Sequence, residues 1–290
     1  MKWIDYASPH SVGEAVSLLA EHKEKARILA GGTDILVQLR ARRRQPNVLV
    51  DVKGIPELNE ITYDPTSGLT LGAAVECYKI YQNEAVRHAY PGLIDAASLI
   101  GGTQIQGRAS IGGNLCNAAP SADAIPGLIV MGVTCNVVSH GASRKIPVEE
   151  LCTGPGATVL RPDEMMVSLH FPPPKPNVGV RYIRFIPRNE MDIAVAGVGV
   201  SVEIDNGTFK SARVALASVA PTPLFVKKAG DALAGKPVNA ESIQVAANIA
   251  RDAAKPITDM RGTIEFRKHL CEVLTRRALD TAVERAKEAR

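Results

Sequence analysis

The sequence predicts an α+β chain in three parts: a small α/β unit over residues 1–54, a larger glycine-rich α+β unit over 55–175, and a domain of β-strands plus helices over 176–290. Three observations carry that expectation. Hydrophobic spacing alternates between helical and strand periods through the first two units. A PPPKP run at residues 172–176 interrupts it as a semi-rigid linker. Beyond that run come strand-like stretches and one strong hairpin signal, and the last seventy residues have helical spacing.

In the first unit, residues 12–20 are helical with Ala15, Leu18 and Leu19 on one face, and residues 27–30 form a short apolar strand. Thr33 is placed to cap a helix with Asp34 in its first turn and Ile35, Leu36 and Leu39 inward. Pro46 closes that region, and residues 48–52 read as another buried strand. In the second unit, Leu69, Leu71, Ala73 and Val75 alternate as one strand face. Residues 91–100 fit a helix with Leu93, Ile94, Ala97 and Ile100 inward. Residues 101–123 have three glycine-bearing turns and little periodicity, so irregular chain is expected there. Strands are expected at 133–138, 144–151 and 166–171. In the third unit, 180–187 and 193–204 are strand-like, and Asp205-Asn206-Gly207 is a hairpin turn into a strand at 209–219. The closing helix, 263 to about 287, is expected to bury Phe266, Leu270, Val273, Leu274 and Ala278 on one stripe.

Of the 290 residues, 46% are hydrophobic and 22% charged, the balance of a soluble globular protein. Aromatics are only 4%, so Ala, Val, Ile and Leu must build the core. A net charge of +4, from 34 basic and 30 acidic residues, is too small and dispersed for a nucleic-acid binder. The one basic run, Arg40, Arg42, Arg43 and Arg44, suits an acidic partner or phosphate, or a solvated helix end. The N-terminal stretch has no signal-peptide core and no segment reads as a membrane span, so a cytoplasmic location is expected. Five scattered cysteines without CxxC spacing imply neither disulfides nor an iron–sulfur or zinc site.

Several motifs fail on inspection. GDALAGK at residues 230–236 has the spacing of a phosphate loop, but Pro237 stands where the Mg²⁺-ligating hydroxyl belongs. Gly154-Pro155-Gly156 and Gly197-Val198-Gly199 lack the third glycine of a dinucleotide fingerprint. The six histidines have no metal-ligand spacing and none stands beside a nucleophile. Hydrolytic and metal chemistry are not expected of this chain.

Two other stretches are richer: ILAGGTDILVQLR at 28–40 and SIGGNLCNAAPSAD at 110–123. A glycine pair between strand and helix lets backbone approach a ligand with no Cβ in the way. The N–H groups of the turn and of the helix start then form a concave anion site. Thr33 adds a hydroxyl to the first, and Asn114 and Asn117 add amides to the second. Asp123 is placed to accept from sugar hydroxyls. A single such turn is usually structural; two suit one ligand with two adjacent phosphates.

Together these stretches resemble the flavin-binding subunit of the molybdenum hydroxylases, the family of carbon monoxide dehydrogenase medium subunits and bacterial xanthine dehydrogenase flavin subunits. The resemblance runs from YASPHSVGEAVSLLAEH to DMRGTIEFRKHLCEVLTRRAL, almost the whole chain. It implies a two-subdomain FAD-binding fold of the vanillyl-alcohol-oxidase (PCMH) type, with a C-terminal domain of the CO dehydrogenase flavoprotein kind. By position, Ala30, Gly31, Gly32, Thr33 and Asp34 would wrap the FAD pyrophosphate. Ser110, Ile111, Gly112, Gly113 and Asn114 would meet pyrophosphate and flavin, with Asp123 on a ribose or ribityl hydroxyl. Met166 would pack the adenosine, and Arg184, Asp192 and Ile193 would stand beside the isoalloxazine. Met166 and Ile193 are equally readable as strand-core residues, and Asp192 as a surface turn.

Thr33 and Asp34 occupy the place where related oxidases carry a flavin-linking histidine, so non-covalent FAD is implied. Asp123 runs directly into AIPGLIVMGVTCN, with none of the cysteine-rich insertion of the benzoyl-CoA reductase branch. The resemblance thus implies an electron-transfer subunit. A molybdenum-cofactor large subunit and a [2Fe-2S] small subunit would be its partners, in a dimer of heterotrimers, with no metal on this chain. A self-contained FAD-dependent oxidoreductase of the same fold is the alternative. It would require a catalytic acid or base near the flavin, which the sequence does not display.

Overall fold

The computed structural model describes residues 3–289 and has the expected α+β architecture, with three main sheets following one another along the chain. The first sheet is parallel, with β1 (Asp5–Ala7), β2 (Ala26–Leu29) and β3 (Val48–Asp51) in the order β1-β3-β2. Helix α1 (Val12–His22) starts where the Ser11 hydroxyl accepts the Glu14 N–H at 3.2 Å and the Glu14 carboxylate accepts the His10 N–H at 2.8 Å. Its Ala15, Val16 and Leu19 pack against the sheet.

Helix α2 (Ile35–Arg40) departs from expectation. Asp34 rather than Thr33 precedes its first residue, without a side-chain cap, and Leu36 and Val37 are exposed. Only Leu39 is buried, because a helix under two turns long at the surface brings just one side chain to the core.

The second unit begins with β4 (Ile61–Asp64) and β5 (Gly68–Gly72). Helices α3 (Cys77–Gln82), α4 (Glu84–Ala89), α5 (Pro91–Ala97), α6 (Thr103–Gln106), α7 (Ile111–Asn117) and α8 (Ala124–Val130) follow. Strands β6 (Thr134–Ser139) and β7 (Ala142–Pro147), a small hairpin of β8 (Cys152–Gly154) and β9 (Ala157–Thr158), and β10 (Met165–Phe171) complete it. The sheet is antiparallel in the order β4-β5-β10-β6-β7.

Residues 101–123 are therefore not irregular throughout: α6 and α7 lie within them. The Ser110 hydroxyl accepts the Gly113 N–H at 3.0 Å and caps α7, while Ile111 and Leu115 enter the main core. Two glycines and two asparagines hide that helix from any propensity argument, and burial of its two aliphatic residues overrides them.

The third sheet, β11 (Val178–Phe185), β12 (Ala196–Asp205), β13 (Thr208–Ala217) and β14 (Leu224–Phe225), is an antiparallel meander. Asn206 and Gly207 both take positive φ, 47° and 77°, as a tight hairpin with right-handed strand twist requires. Strand β12 begins at Ala196, so Asp192 and Ile193 lie in the loop before it. Helices α9 (Lys227–Leu233), α10 (Ala240–Ala253) and α11 (Ile264–Glu288) cover this sheet and share its core. GDALAGK falls across the end of α9.

Leu270, Leu274 and Ala278 of α11 are buried, whereas Phe266 is 39% exposed and rests edge-on against Phe185 at 5.7 Å. Phe266 occupies the first turn, where the buried side chain is instead Arg267. Among the described residues no helix is long and apolar enough to cross a membrane.

Candidate cofactor site

A cavity of about 440 Å³ lies between the β2–α2 connection, α7 and the segment from β9 to β10. Its size falls within the range of small-molecule sites. Of the residues singled out in the sequence, Ala30, Gly31, Gly32, Thr33, Asp34, Ser110, Gly112, Gly113, Asn114, Asn117 and Met166 line it. Two stretches eighty residues apart are thus brought to one wall. Ile111, Asp123, Arg184, Asp192 and Ile193 lie outside it.

The four glycines are there for different physical reasons. A Cβ on Gly31 would stand 1.9 Å from the Arg108 carbonyl oxygen, and one on Gly112 would stand 2.4 Å from that of Ala73. Those two glycines let backbone pack on backbone. Gly32 takes φ +80°, which an L side chain rarely adopts. At Gly113 no backbone stands in the way: a Cβ would meet only the Ser110 Oγ, closely, at 3.0 Å. The first motif is braced by Arg108, whose Nε donates to the Gly31 carbonyl at 3.0 Å, and by Lys53, whose ammonium donates to that of Ala30 at 3.2 Å. Gln38 Nε2 donates to Asn117 Oδ1 at 2.9 Å and ties α2 to α7.

Among the described residues, the backbone N–H groups of Gly31, Gly32, Thr33, Asp34 and Ile35 have no protein acceptor, and neither does that of Gly112. Such a concentration of unmet donors is the complement of an anion's oxygens. Burial raises the Asp34 carboxyl above its ordinary range, although the residue as a whole is exposed. The residues therefore fit a pyrophosphate-bearing cofactor. Cys116 also lines the cavity and is exposed there.

Met166 is 4% exposed and contributes to the apolar wall beside Met165 and Leu160. The Glu164 carboxylate accepts from Arg144 at 2.8 and 2.9 Å and from the Arg161 N–H at 2.7 Å. Burial opposes that charge, yet these donors hold its pKa below the usual range. Arg27, Gln38, Arg44, Arg161 and Glu164 also line the cavity; neither motif contains Arg27, Arg44, Arg161 or Glu164, and nothing in α2 marks which side Gln38 takes.

Asp123 and Arg184, which do not line the cavity, pair with one another. Asp123 accepts from Arg184 through one oxygen and from the Tyr182 hydroxyl at 2.8 Å through the other. Burial lifts the Asp123 carboxyl to about 6 against the pull of Arg184 and Tyr182. Asp192 lies 3.9 Å from Arg188 and 3.8 Å from Arg261, and its neighbour Ile193 is 49% exposed. Among the described residues no group of three or more His, Cys, Asp or Glu side chains is arranged to hold a metal ion.

Fold and site define a flavin-binding class: the chain belongs to the family of FAD-binding subunits of the molybdopterin dehydrogenases. Residues 2–174 match the FAD binding domain in molybdopterin dehydrogenase, and residues 181–282 match the CO dehydrogenase flavoprotein C-terminal domain. The chain is 33% identical over 287 residues to the xanthine dehydrogenase FAD-binding subunit of Escherichia coli O157:H7, covering 97% of this chain and 98% of that one. It is 32% identical to the carbon monoxide dehydrogenase medium chain of Hydrogenophaga pseudoflava, covering 96% of each. Among solved structures, carbon monoxide dehydrogenase from Hydrogenophaga pseudoflava lacking the Mo-pyranopterin moiety superposes with a TM-score of 0.94 at 31% identity over 98% of both chains. Quinoline 2-oxidoreductase from Pseudomonas putida 86 superposes with a TM-score of 0.91 at 26% identity over 99% of both.

Proposed function

We propose that this chain is the electron-transfer subunit of a cytoplasmic molybdenum hydroxylase, holding FAD non-covalently between a [2Fe-2S] small subunit and an external acceptor. The molybdenum cofactor sits on a large subunit, and the complex is a dimer of heterotrimers. One observation carries the reading: two glycine motifs from separate stretches meet at a single cavity and present backbone donors that no protein group satisfies. The comparisons support it, since the relatives named above are subunits or chains of xanthine and carbon monoxide dehydrogenases.

Bound flavin accepts electrons singly and passes them on singly or in pairs. The protein's own contribution is placement. The N–H groups of residues 31–35 and of Gly112 receive the pyrophosphate, with Thr33, Asn114 and Asn117 completing its hydrogen bonds. Gly113 leaves room for close approach, and Met166 packs the adenosine. Asp123 on a ribose or ribityl hydroxyl and Arg184 beside the isoalloxazine rest on family resemblance alone. Asp192 and Ile193 are assigned to the isoalloxazine side on family resemblance alone. Acid treatment of the purified yellow protein is the test: about one FAD per chain should be released intact, and a covalently retained flavin, or FMN in its place, would refute the assignment.

A further inference from the structure

Two cations grip the first glycine motif from outside the cavity. Lys53 and Arg108 do not line it, although the adjoining Val52 and Ala109 do. The Lys53 ammonium donates to the Ala30 carbonyl at 3.2 Å, and the Arg108 Nε donates to the next carbonyl, that of Gly31, at 3.0 Å. Each cation is itself held in place. The register of β2 and β3 sets Leu29 opposite Asp51, which brings the end of β3 alongside the motif. Asp51, 5% exposed, accepts from the Lys53 ammonium at 2.6 Å and from the Lys53 N–H at 3.0 Å, with the Tyr6 hydroxyl as a third donor. Burial opposes that charge, yet Lys53 and Tyr6 hold the Asp51 carboxyl below its ordinary range. Arg108 is fixed through its backbone, whose N–H bonds the Ile105 carbonyl at 3.0 Å and whose own carbonyl packs against Gly31.

A trans peptide points its carbonyl and its N–H in opposite directions, and the described chain has no cis peptide. Holding the Ala30 carbonyl therefore fixes the Gly31 N–H, and holding the Gly31 carbonyl fixes the Gly32 N–H. Both N–H groups belong to the run that finds no protein acceptor. With the carbonyls drawn outward, these N–H groups turn to the side that Gly31 and Gly32 line. A glycine pair is where such an orientation is least secure. Without a Cβ many torsions cost little, and the φ of +80° at Gly32 is only one of those open to it. An unheld motif would spend part of its time with carbonyl oxygens facing an anion, and affinity falls with the fraction of competent conformers.

Resting on the FAD reading above, we propose that Lys53 and Arg108 are positioning residues for the cofactor's diphosphate. They act through the Ala30 and Gly31 carbonyls to preset the N–H groups of Gly31 and Gly32, without touching the cofactor themselves.

The test is reconstitution of full-length apoprotein, followed by flavin fluorescence, with FAD and inorganic pyrophosphate as probes. Lys53→Met and Arg108→Met each keep an apolar stem and lose the donor. Both residues are exposed, and the Arg108 backbone still packs on Gly31, so apoprotein melting should stay close to that of the parent. Each variant should weaken FAD roughly tenfold, the scale of a hydrogen bond to a charged group. Pyrophosphate, competing for the same N–H groups, should weaken by the same factor. Lys53→Arg should restore most of the affinity. The loss should be equal at low and high salt, because it comes from orientation and not from attraction through space, which salt screens. FAD affinity unchanged in either Met variant would overturn the proposal. So would a loss that spares pyrophosphate, vanishes in salt or persists in Lys53→Arg. A parent apoprotein that binds no FAD would instead sink the FAD reading itself.

Discussion

Arg285 of α11 grips both carboxylate oxygens of Asp95 in α5, at 2.6 and 3.0 Å, across 190 residues of chain. Asp95 also accepts from Arg181 at 2.6 Å and from the Tyr182 N–H at 3.2 Å. One carboxylate thus joins the second unit to both β11 and α11. Asp95→Ala would strand two half-buried guanidiniums, one of which, Arg181, already has its Nε unpartnered. Because both remain partly hydrated, the expected loss is about 2 kcal/mol rather than the larger cost of a fully buried pair. Urea denaturation of Asp95→Ala against the parent measures it.

The glycines of the cavity should separate by experiment. Gly31→Ala drives a methyl into the Arg108 carbonyl and is expected to destabilise the fold by about 3 kcal/mol or more. Gly113→Val crowds only the Ser110 hydroxyl and should keep the fold while FAD affinity falls roughly tenfold or more. Thermal melts and flavin titration read the two effects independently. A Gly113→Val protein that binds FAD like the parent would remove the second motif from the cofactor.

Asp123 sets a pH dependence of unusual sign. Its folded value of about 6 lies above the ordinary 3.8, so the folded state binds the proton more tightly than the unfolded one. The stability it contributes is fully present below about pH 4 and is lost as pH rises through about 6. Denaturation midpoints between pH 4 and 7 should show this slope in the parent and lose it in Asp123→Asn. An identical slope in both would assign it to another group.

The isolated chain should not oxidise N-heterocycles, aldehydes or carbon monoxide. Its cavity supplies donors for a cofactor, and among the described residues no metal-ligating cluster accompanies them. With FAD bound it should still pass electrons from an artificial reductant to a dye. Anaerobic mixing with a substrate panel decides: rapid bleaching of the flavin by any of them, with no partner subunit present, would favour a self-contained oxidoreductase.

Local chemistry made much of this protein legible without a structure. The Asp205-Asn206-Gly207 hairpin follows from the torsions Asn and Gly tolerate, and α1, α5 and α11 follow from aliphatic spacing. Both glycine motifs stood out because small residues beside Thr and Asn have no use in a core. What remained hidden depends on which neighbour arrives. Spacing marks an apolar stripe but not whether anything covers it, so Leu36 and Phe266 looked inward and are exposed. Ile111, read as a cofactor contact, is spent in the core because α7 is a helix, and that helix exists through burial rather than propensity. Only the tertiary structure sets the Gly31 backbone against Arg108, gathers Arg27 and Arg44 at one cavity, and hands Asp123 to Arg184 and Tyr182. Those relations join residues far apart in the chain, and no local torsion or periodicity encodes a contact between them.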